Sequence, residues 1–232
     1  MKIINTNLKD CFIIENAVHK DSRGLFIETY HKKKFDEKID RTVNFVQDNF
    51  SLSTKGVLRG LHFQKKFPQG KLVRVLKGKV FDVVVDIRKN SETFGSHFCL
   101  ELSDENNLQI WIPEGFAHGF LTLSDSAYFE YKCTDYYYKE DEDTINCNDP
   151  DLDIPWPSNI TTIISQKDEN ASEELFEHHR FTADPGQELL RIDKFLLDRL
   201  PNTTRSKIQV AAKNGSILVN EIAVKQNYKI KP

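Results

Sequence analysis

The segment Val57-Leu-Arg-Gly-Leu-His-Phe-Gln sets His62 in an apolar run, with Arg59, Gln64, Lys71 and Arg74 within one hairpin of it. Imidazole is the side chain whose ordinary pKa permits acid–base work near neutral pH. A histidine in such a run also fits a hydrogen-bonded core residue. Here, however, several polar groups accompany it, and burying them is costly unless they face a wet cavity or a charged ligand. Strict strand alternation puts Arg59 and His62 on opposite faces. If both serve one site, Gly60 marks a bulge that re-aims one of them. A second group, Trp111-Ile-Pro-Glu-Gly-Phe-Ala-His-Gly-Phe, places His118 between small residues where a strand begins. In a third, Tyr131 alternates with Glu130 and Lys132, so it either packs in a core or points its hydroxyl into a barrel interior. His62 is followed by Phe63 and Gln64, and His118 is flanked by Ala117 and Gly119. No His/Cys cluster has ligand spacing, so a site free of metal and cofactor is expected.

Elements able to position these groups read as short strands. Val80 to Ile87 alternates with the period of a half-buried strand, and Leu76-Lys-Gly-Lys-Val supplies a tight reversal before it. Further strands are expected at Asn44–Ser51, Val57–Gln64, Phe98–Leu102, Leu108–Ile112, Gly119–Leu123 and Tyr128–Thr134. Their regular spacing predicts an all-β sandwich or barrel rather than a layered α/β sheet. Only Lys33–Arg41 reads as helical in this part, with Phe35 and Ile39 at i, i+4.

The 232 residues carry a net charge of −3 that hides a division. Leu189 to Pro232 holds nine Lys/Arg against three acids, a net of +6, which leaves 23 basic and 32 acidic residues, or −9, ahead of it. Such asymmetry predicts two units with different partners. Sixteen Phe, seven Tyr and two Trp argue against disorder. No apolar run approaches the roughly 20 residues of a membrane span, and the N-terminus does not read as a signal peptide. Cys11, Cys99, Cys133 and Cys147 are scattered with no close pair, which suits a reducing cytoplasm.

The body resembles the dTDP-4-dehydrorhamnose 3,5-epimerase family over about residues 1–172. The matching motifs, in order, begin with Asp21-Ser-Arg-Gly-Leu-Phe-Ile-Glu-Thr-Tyr, Phe45-Val-Gln-Asp-Asn-Phe-Ser and the His62 run. They continue with Gly70-Lys-Leu-Val-Arg, Val80-Phe-Asp-Val-Val-Val-Asp-Ile-Arg, the His118 run and Ser165-Gln-Lys-Asp. The resemblance implies an all-β cupin-type jelly-roll barrel, a homodimer that works without metal, and epimerisation at C3 and C5 of dTDP-4-dehydro-6-deoxy-glucose. It implies His62 as base, Asp168 as the carboxylate orienting it, Tyr131 as proton donor and Lys71 as the enolate-stabilising cation. Arg59 and Arg23 would hold diphosphate or sugar oxygens. Glu28, Gln47, Asn49, His118, Glu142 and Lys167 map onto substrate-contact positions, with Asp48 beside them. Arg23 and Glu28 lie on an early strand that crosses to the partner subunit in this family. Local departures are Cys147, where tryptophan is frequent, and Asp143 after Glu142. A mono-epimerase or ketoisomerase acting on a related sugar is the alternative reading.

After a polar linker at 173–188, residues 189–232 read as a small α+β module of two helices and a β-hairpin. Leu189, Ile192, Phe195 and Leu196 mark one helical face. Ile208, Ala211 and Ala212 mark another between a Thr203/Thr204 cap and Gly215. Leu190-Arg-Ile-Asp-Lys-Phe-Leu, Thr204-Arg-Ser-Lys-Ile and Gly215-Ser-Ile-Leu-Val-Asn resemble an S4 RNA-binding domain. The resemblance is to the one preceding the catalytic domain of large-subunit ribosomal pseudouridine synthases, whose leader Glu174–Asp184 also resembles. It implies RNA contact through Arg191, Lys194, Arg205, Lys207 and Lys213, against a solvated basic face as the plain alternative. The S4 pattern normally continues into another strand. A passive appendage of gene fusion, or an assembly artefact, is preferred over regulated RNA binding.

Overall fold

The apolar side chains of the body strands pack between two facing sheets, and clean in–out alternation is kept by the strand at Gln47–Thr54. The computed structural model describes residues 1–171, 179–186, 188–200 and 203–230. It divides into two units, Met1–Glu177 and His178–Pro232. Residue 172, where the body was expected to end, and 173–178 and 187 of the expected linker lie outside the described residues.

The first unit opens with β1 (Lys2–Asn5), β2 (Phe12–Glu15), β3 (Val18–Asp21), β4 (Gly24–Ile27) and helix α1 (Lys32–Ile39). Then come β5 (Gln47–Thr54), β6 (Val57–Gln64), β7 (Lys71–Lys77) and β8 (Lys79–Asp86). They are followed by β9 (His97–Ser103), β10 (Leu108–Ile112), β11 (Phe116–Thr122) and β12 (Ser126–Cys133). Short β13 (Glu142–Thr144), β14 (Ile163–Ile164) and α2 (Gln166–Glu169) complete it. One sheet runs β1-β2-β10-β7-β12-β5 and the other β13-β6-β11-β8-β9, with β14 parallel to β6. Val73, Val75 and Phe129 of the first sheet meet Val80, Val84, Phe116 and Phe120 of the second.

Strand β8 is buried on both faces rather than half-buried. Its other face, Val83 and Val85, packs with Leu58, Leu121, Ile145 and Leu152 under Trp156, so the segment after β13 covers the outside of the second sheet. Two expected strands shift. The Asn44–Ser51 strand begins at Gln47, because Phe45 turns into an aromatic cluster with Tyr30, Phe35 and Trp111. The Gly119–Leu123 strand begins at Phe116, which includes His118. The residue patterns did not anticipate β1, β2 or α2, and the early strand that the resemblance implied for Arg23 and Glu28 is hairpin β3–β4, with Arg23 in its turn and Glu28 just beyond it. Hairpin β3–β4 pairs only with itself.

The second unit contains β15 (Leu190–Arg191), α3 (Ile192–Leu197), α4 (Arg205–Lys213), β16 (Leu218–Val219), β17 (Ile222–Ala223) and β18 (Lys229–Ile230). Thr204 caps α4 by accepting the Lys207 N–H at 3.3 Å, and Gly215, at φ +80°, follows the C-cap. Asn220 and Glu221 turn the hairpin at positive φ. Ile192, Phe195, Ile208, Ala212, Ile217 and Ile230 form its core, and β18 pairs with β15. Leu189 lies before α3 and is exposed. No helix among the described residues is long and apolar enough to cross a membrane.

Candidate active site

Strand β6 carries the centre of the site. Its pairing with β11 matches His62 to His118 and Arg59 to Phe120, so β6 advances three residues while β11 advances two. Gly60 occupies this bulge at φ +115°, and a Cβ there would meet Gly119 Cα and His118 O at 2.7 Å. Only glycine accommodates both that backbone conformation and that approach. Arg59, exposed on β6, donates to the Ser53 hydroxyl at 3.1 Å, and its charge acts on the Tyr131 hydroxyl.

His62 Nε2 and Asp168 Oδ1 are 2.6 Å apart. Asp168 is buried on α2, where the Ser165 hydroxyl caps the helix by accepting the Asp168 N–H at 3.1 Å. Its other oxygen takes the Gly60 N–H at 3.4 Å. Burial by itself would raise the carboxyl, but hydrogen bonds to His62, Gly60 and Ser165 and the imidazole's charge hold it below the ordinary carboxylate value. The aspartate is therefore ionised beside an imidazole that keeps partial access to solvent.

Lys71 and Tyr131 project from the first sheet. Lys71, at the start of β7 opposite Cys133, is buried, and its ammonium makes no hydrogen bond or ion pair among the described residues. Burial pulls its ammonium below the usual value, opposed by Cys133, Glu142 and Asp82. Tyr131 packs beside Phe129 with ring centroids 6.1 Å apart. Burial, then Cys133 and Glu142, push its hydroxyl up to about 12. The neighbouring Glu130 and Lys132 point outward to Arg74 and Asp48.

Glu142 ties the group together. Its carboxylate accepts from Lys167 Nζ and, at 2.9 Å, from the Tyr137 hydroxyl. Burial would raise it, yet those two donors and His62 leave it below the ordinary value. Its charge also acts on Lys71 and Tyr131. Asn49 donates to Cys133 Sγ at 3.4 Å, and Gln47 donates to Asn49 at 2.9 Å. His118 is buried, with Nε2 2.9 Å from Asp82 Oδ2.

The structure thus gathers His62, Asp168, Lys71, Tyr131, Glu142, Lys167 and Arg59, with Gln47, Asn49 and His118 on neighbouring inward positions. It does not bring in Asp48, because odd positions of β5 face inward and Asp48 pairs on the outside with Lys132 at 3.0 Å. Arg74 likewise leaves the His62 neighbourhood for Glu130. Arg23 and Glu28 are also elsewhere within this chain. Arg23 is largely exposed and bound to Asp21, and Glu28 bonds Lys34. Asp82 was not singled out from sequence. The signal available was an acid in an apolar strand, which burial makes costly unless it is paired. Among the described residues no group of three His, Cys, Asp or Glu could hold a metal ion.

Both the sequence and the barrel of the first unit match a known family. A family model described as dTDP-4-dehydrorhamnose 3,5-epimerase covers residues 5–175. The chain belongs to the dTDP-4-dehydrorhamnose 3,5-epimerase family. The family member of Methanothermobacter thermautotrophicus is 52% identical over 171 residues, 73% of this chain and 92% of that relative. The epimerase of Salmonella typhimurium is 53% identical over 169 residues, 72% of this chain and 92% of its own. The crystal structure of RmlC from Legionella pneumophila, in complex with dTDP-4-keto-L-rhamnose, superposes with a TM-score of 0.72 at 53% identity. That match covers 73% of this chain and 90% of the Legionella chain, so the body has the cupin-type fold of these isomerases. An S4 domain model matches residues 190–232.

In the S4 unit the five expected basic residues divide. Arg191 and Arg205 both bind the buried Asp193, at 2.9 and 3.4 Å, which ties α3 to α4. Lys194, Lys207 and Lys213 make no such side-chain pair among the described residues.

Proposed function

We propose that the body epimerises C3 and C5 of dTDP-4-dehydro-6-deoxy-D-glucose, giving dTDP-4-dehydro-L-rhamnose. The observation that carries this reading is the 2.6 Å contact between His62 and Asp168 in the barrel that also holds Lys71 and Tyr131. A proton α to the C4 ketone is removable when a base reaches it and the electrons released find a stabilised oxygen. His62 takes the proton, and Asp168 stabilises the imidazolium. The C–H electron pair moves into the ketone, and Lys71 faces the enolate oxygen as a compact charge. Tyr131, with its hydroxyl raised to about 12, remains protonated and returns a proton to the opposite face. His62 then gives its proton to solvent and Tyr131 regains one from it, and the same sequence at the second α carbon completes the conversion. Arg59, Gln47, Asn49, His118, Glu142 and Lys167 bind sugar and diphosphate oxygens.

The test is proton NMR in deuterated solvent with the dTDP-4-keto sugar. Wild type should incorporate deuterium at both C3 and C5 and accumulate the rhamno-configured product. Incorporation at one carbon alone would replace the double epimerase with a mono-epimerase.

The enzyme acts as a homodimer in a reducing cytoplasm, with Arg23 and Glu28 serving the neighbour's site. Support comes from the self-paired β3–β4 hairpin with exposed Leu25 and Phe26, from exposed Phe50 and Leu52 on β5, and from four unpaired cysteines. Light scattering should give twice the chain mass, and Phe26→Ser should lower both dimer content and activity. The S4 unit is a second reading, favoured by its match to a nucleic-acid module. If it contacts RNA, Lys194, Lys207 and Lys213 form the contact, with Arg191 and Arg205 held by Asp193. A filter-binding titration with ribosomal RNA against salt tests this.

A further inference from the structure

Gln64 lies two residues beyond His62 on β6 and directly opposite Glu142 of β13. Its amide is buried and engaged at both ends. Nε2 donates to Phe67 O at 2.7 Å and Tyr136 O at 3.1 Å, and Oε1 accepts from the Tyr138 N–H at 2.6 Å. These partners belong to two loops, one after β6 and one between β12 and β13. Further contacts sew the same loops together. Asp141 accepts from the N–H groups of Lys66 and Phe67, and Gln69 donates to Asp135 O at 2.9 Å. The rings of Phe67 and Tyr138 lie 4.7 Å apart. Gln47 accepts the Tyr137 N–H at 3.0 Å.

The loop so held carries three consecutive tyrosines, Tyr136, Tyr137 and Tyr138, that are 55%, 48% and 39% exposed. A segment that buries so little apolar surface depends on hydrogen bonds for its position. Tyr137 uses its hydroxyl to donate to Glu142. His62 and Asp168, by contrast, are held by β6 and by the cap of α2 without help from this loop.

We propose that Gln64 is a positioning residue: by fixing the tyrosine loop it holds Tyr137, and through Tyr137 the Glu142 carboxylate, at the mouth of the site. The inference rests on the epimerase reading and adds to it a residue that touches no substrate. Losing Gln64 releases the loop and lets Glu142 swing on its bond to Lys167, while the base and its aspartate stay in place. The cost therefore falls on substrate binding more than on proton transfer.

Steady-state kinetics of the full chain on the dTDP-4-keto-6-deoxy sugar test this, with Gln64→Met, Tyr137→Phe and the double variant. Each single change should raise KM about tenfold, the size of one lost hydrogen bond to a charged group, with kcat kept within about threefold. Because both act along one chain of contacts, the double variant should be no worse than Gln64→Met alone. Multiplying losses, or wild-type KM in Gln64→Met, would overturn the proposal. Should Gln64→Met fail to fold, Tyr137→Phe decides by itself, since Tyr137 is half-exposed and lies outside the core, and an unchanged KM refutes the route. A wild-type chain that does not turn the sugar over defeats the epimerase reading instead.

Discussion

His62 Nε2 and Asp168 Oδ1 meet at 2.6 Å although 106 residues separate them in the chain. The two arrive from unlike elements, a strand that bulges at Gly60 and a four-residue helix capped by Ser165. The carboxylate at this distance holds the imidazole in one orientation.

His62→Ala should abolish deuterium incorporation at C3 and C5, and unchanged exchange would remove His62 as the base. Asp168→Asn should lower kcat about 10²–10⁴-fold, with KM little altered. The Asp168 carboxyl lies below its ordinary value, so it adds stability that is present above pH 3.8 and is lost only as pH falls through the lower folded value. An acid limb found near neutrality in the rate profile would therefore not belong to Asp168.

At the alkaline end, burial lowers Lys71 from its usual 10.5, whereas the Tyr131 hydroxyl is raised to about 12. Activity should fall at high pH through loss of the Lys71 ammonium, before Tyr131 ionises. Lys71→Met should lower kcat about 10²–10³-fold and remove that limb. A limb surviving in this variant assigns the titration elsewhere. Tyr131→Phe should retain some exchange while blocking completed inversion, and normal turnover there would rule it out as the acid.

Gly60→Ala tests the bulge. The added Cβ meets the backbone of His118 and Gly119, which no side-chain movement relieves, at a φ that L residues rarely adopt. We expect a loss of about 2–4 kcal/mol in denaturant unfolding and a larger loss of activity, because His62 follows two residues later. Wild-type stability would show the β6 backbone to be adaptable at this point.

Asp86 supplies a stability prediction outside the chemistry. Burial opposes its charge, but Arg88, Ser91 and Thr93 all donate to its carboxylate and lower it from 3.8 to about 2. Its contribution, about 1–2 kcal/mol, is therefore complete above pH 3.8 and vanishes as pH falls through 2. Asp86→Asn should lower Tm at pH 7, with the difference from wild type shrinking toward pH 2.

Residues 1–172 should keep the full chain's turnover number if the S4 unit takes no part in catalysis. A drop of more than about threefold would implicate the second unit. For the isolated fragment from Glu174 onward, log affinity for RNA should fall with log salt with a slope near −2 to −3 if three lysines contact phosphates. A flat salt response leaves the S4 unit as an appendage.

Much of the fold was legible because short apolar and β-branched runs bounded by turn residues mark β6, β8, β10 and β12. The first four strands were not, since β1 and β2 are four residues each and β3–β4 has no buried face to mark it. In the site, His62, Lys71 and Tyr131 stood out by residue type in apolar runs. Asp48 and Gln47 looked equivalent in sequence, and only the pleat separated them. Asp82 escaped notice because its value depends on His118, which sits on the adjacent strand.

By itself the sequence determined which groups exist and where an unusual backbone is required. It supplied the motifs around His62, Tyr131 and Asp168, a glycine between Arg59 and His62, and a −9 body joined to a +6 tail. Tertiary structure decided which groups meet. It placed Asp168 against His62, tied Glu142 to Lys167 and Tyr137, and drew Arg191 and Arg205 onto Asp193. Alternation along a strand gives the face of a residue. The partner across the barrel depends on register, bulges and closure, which are settled by contacts among residues far apart in the chain.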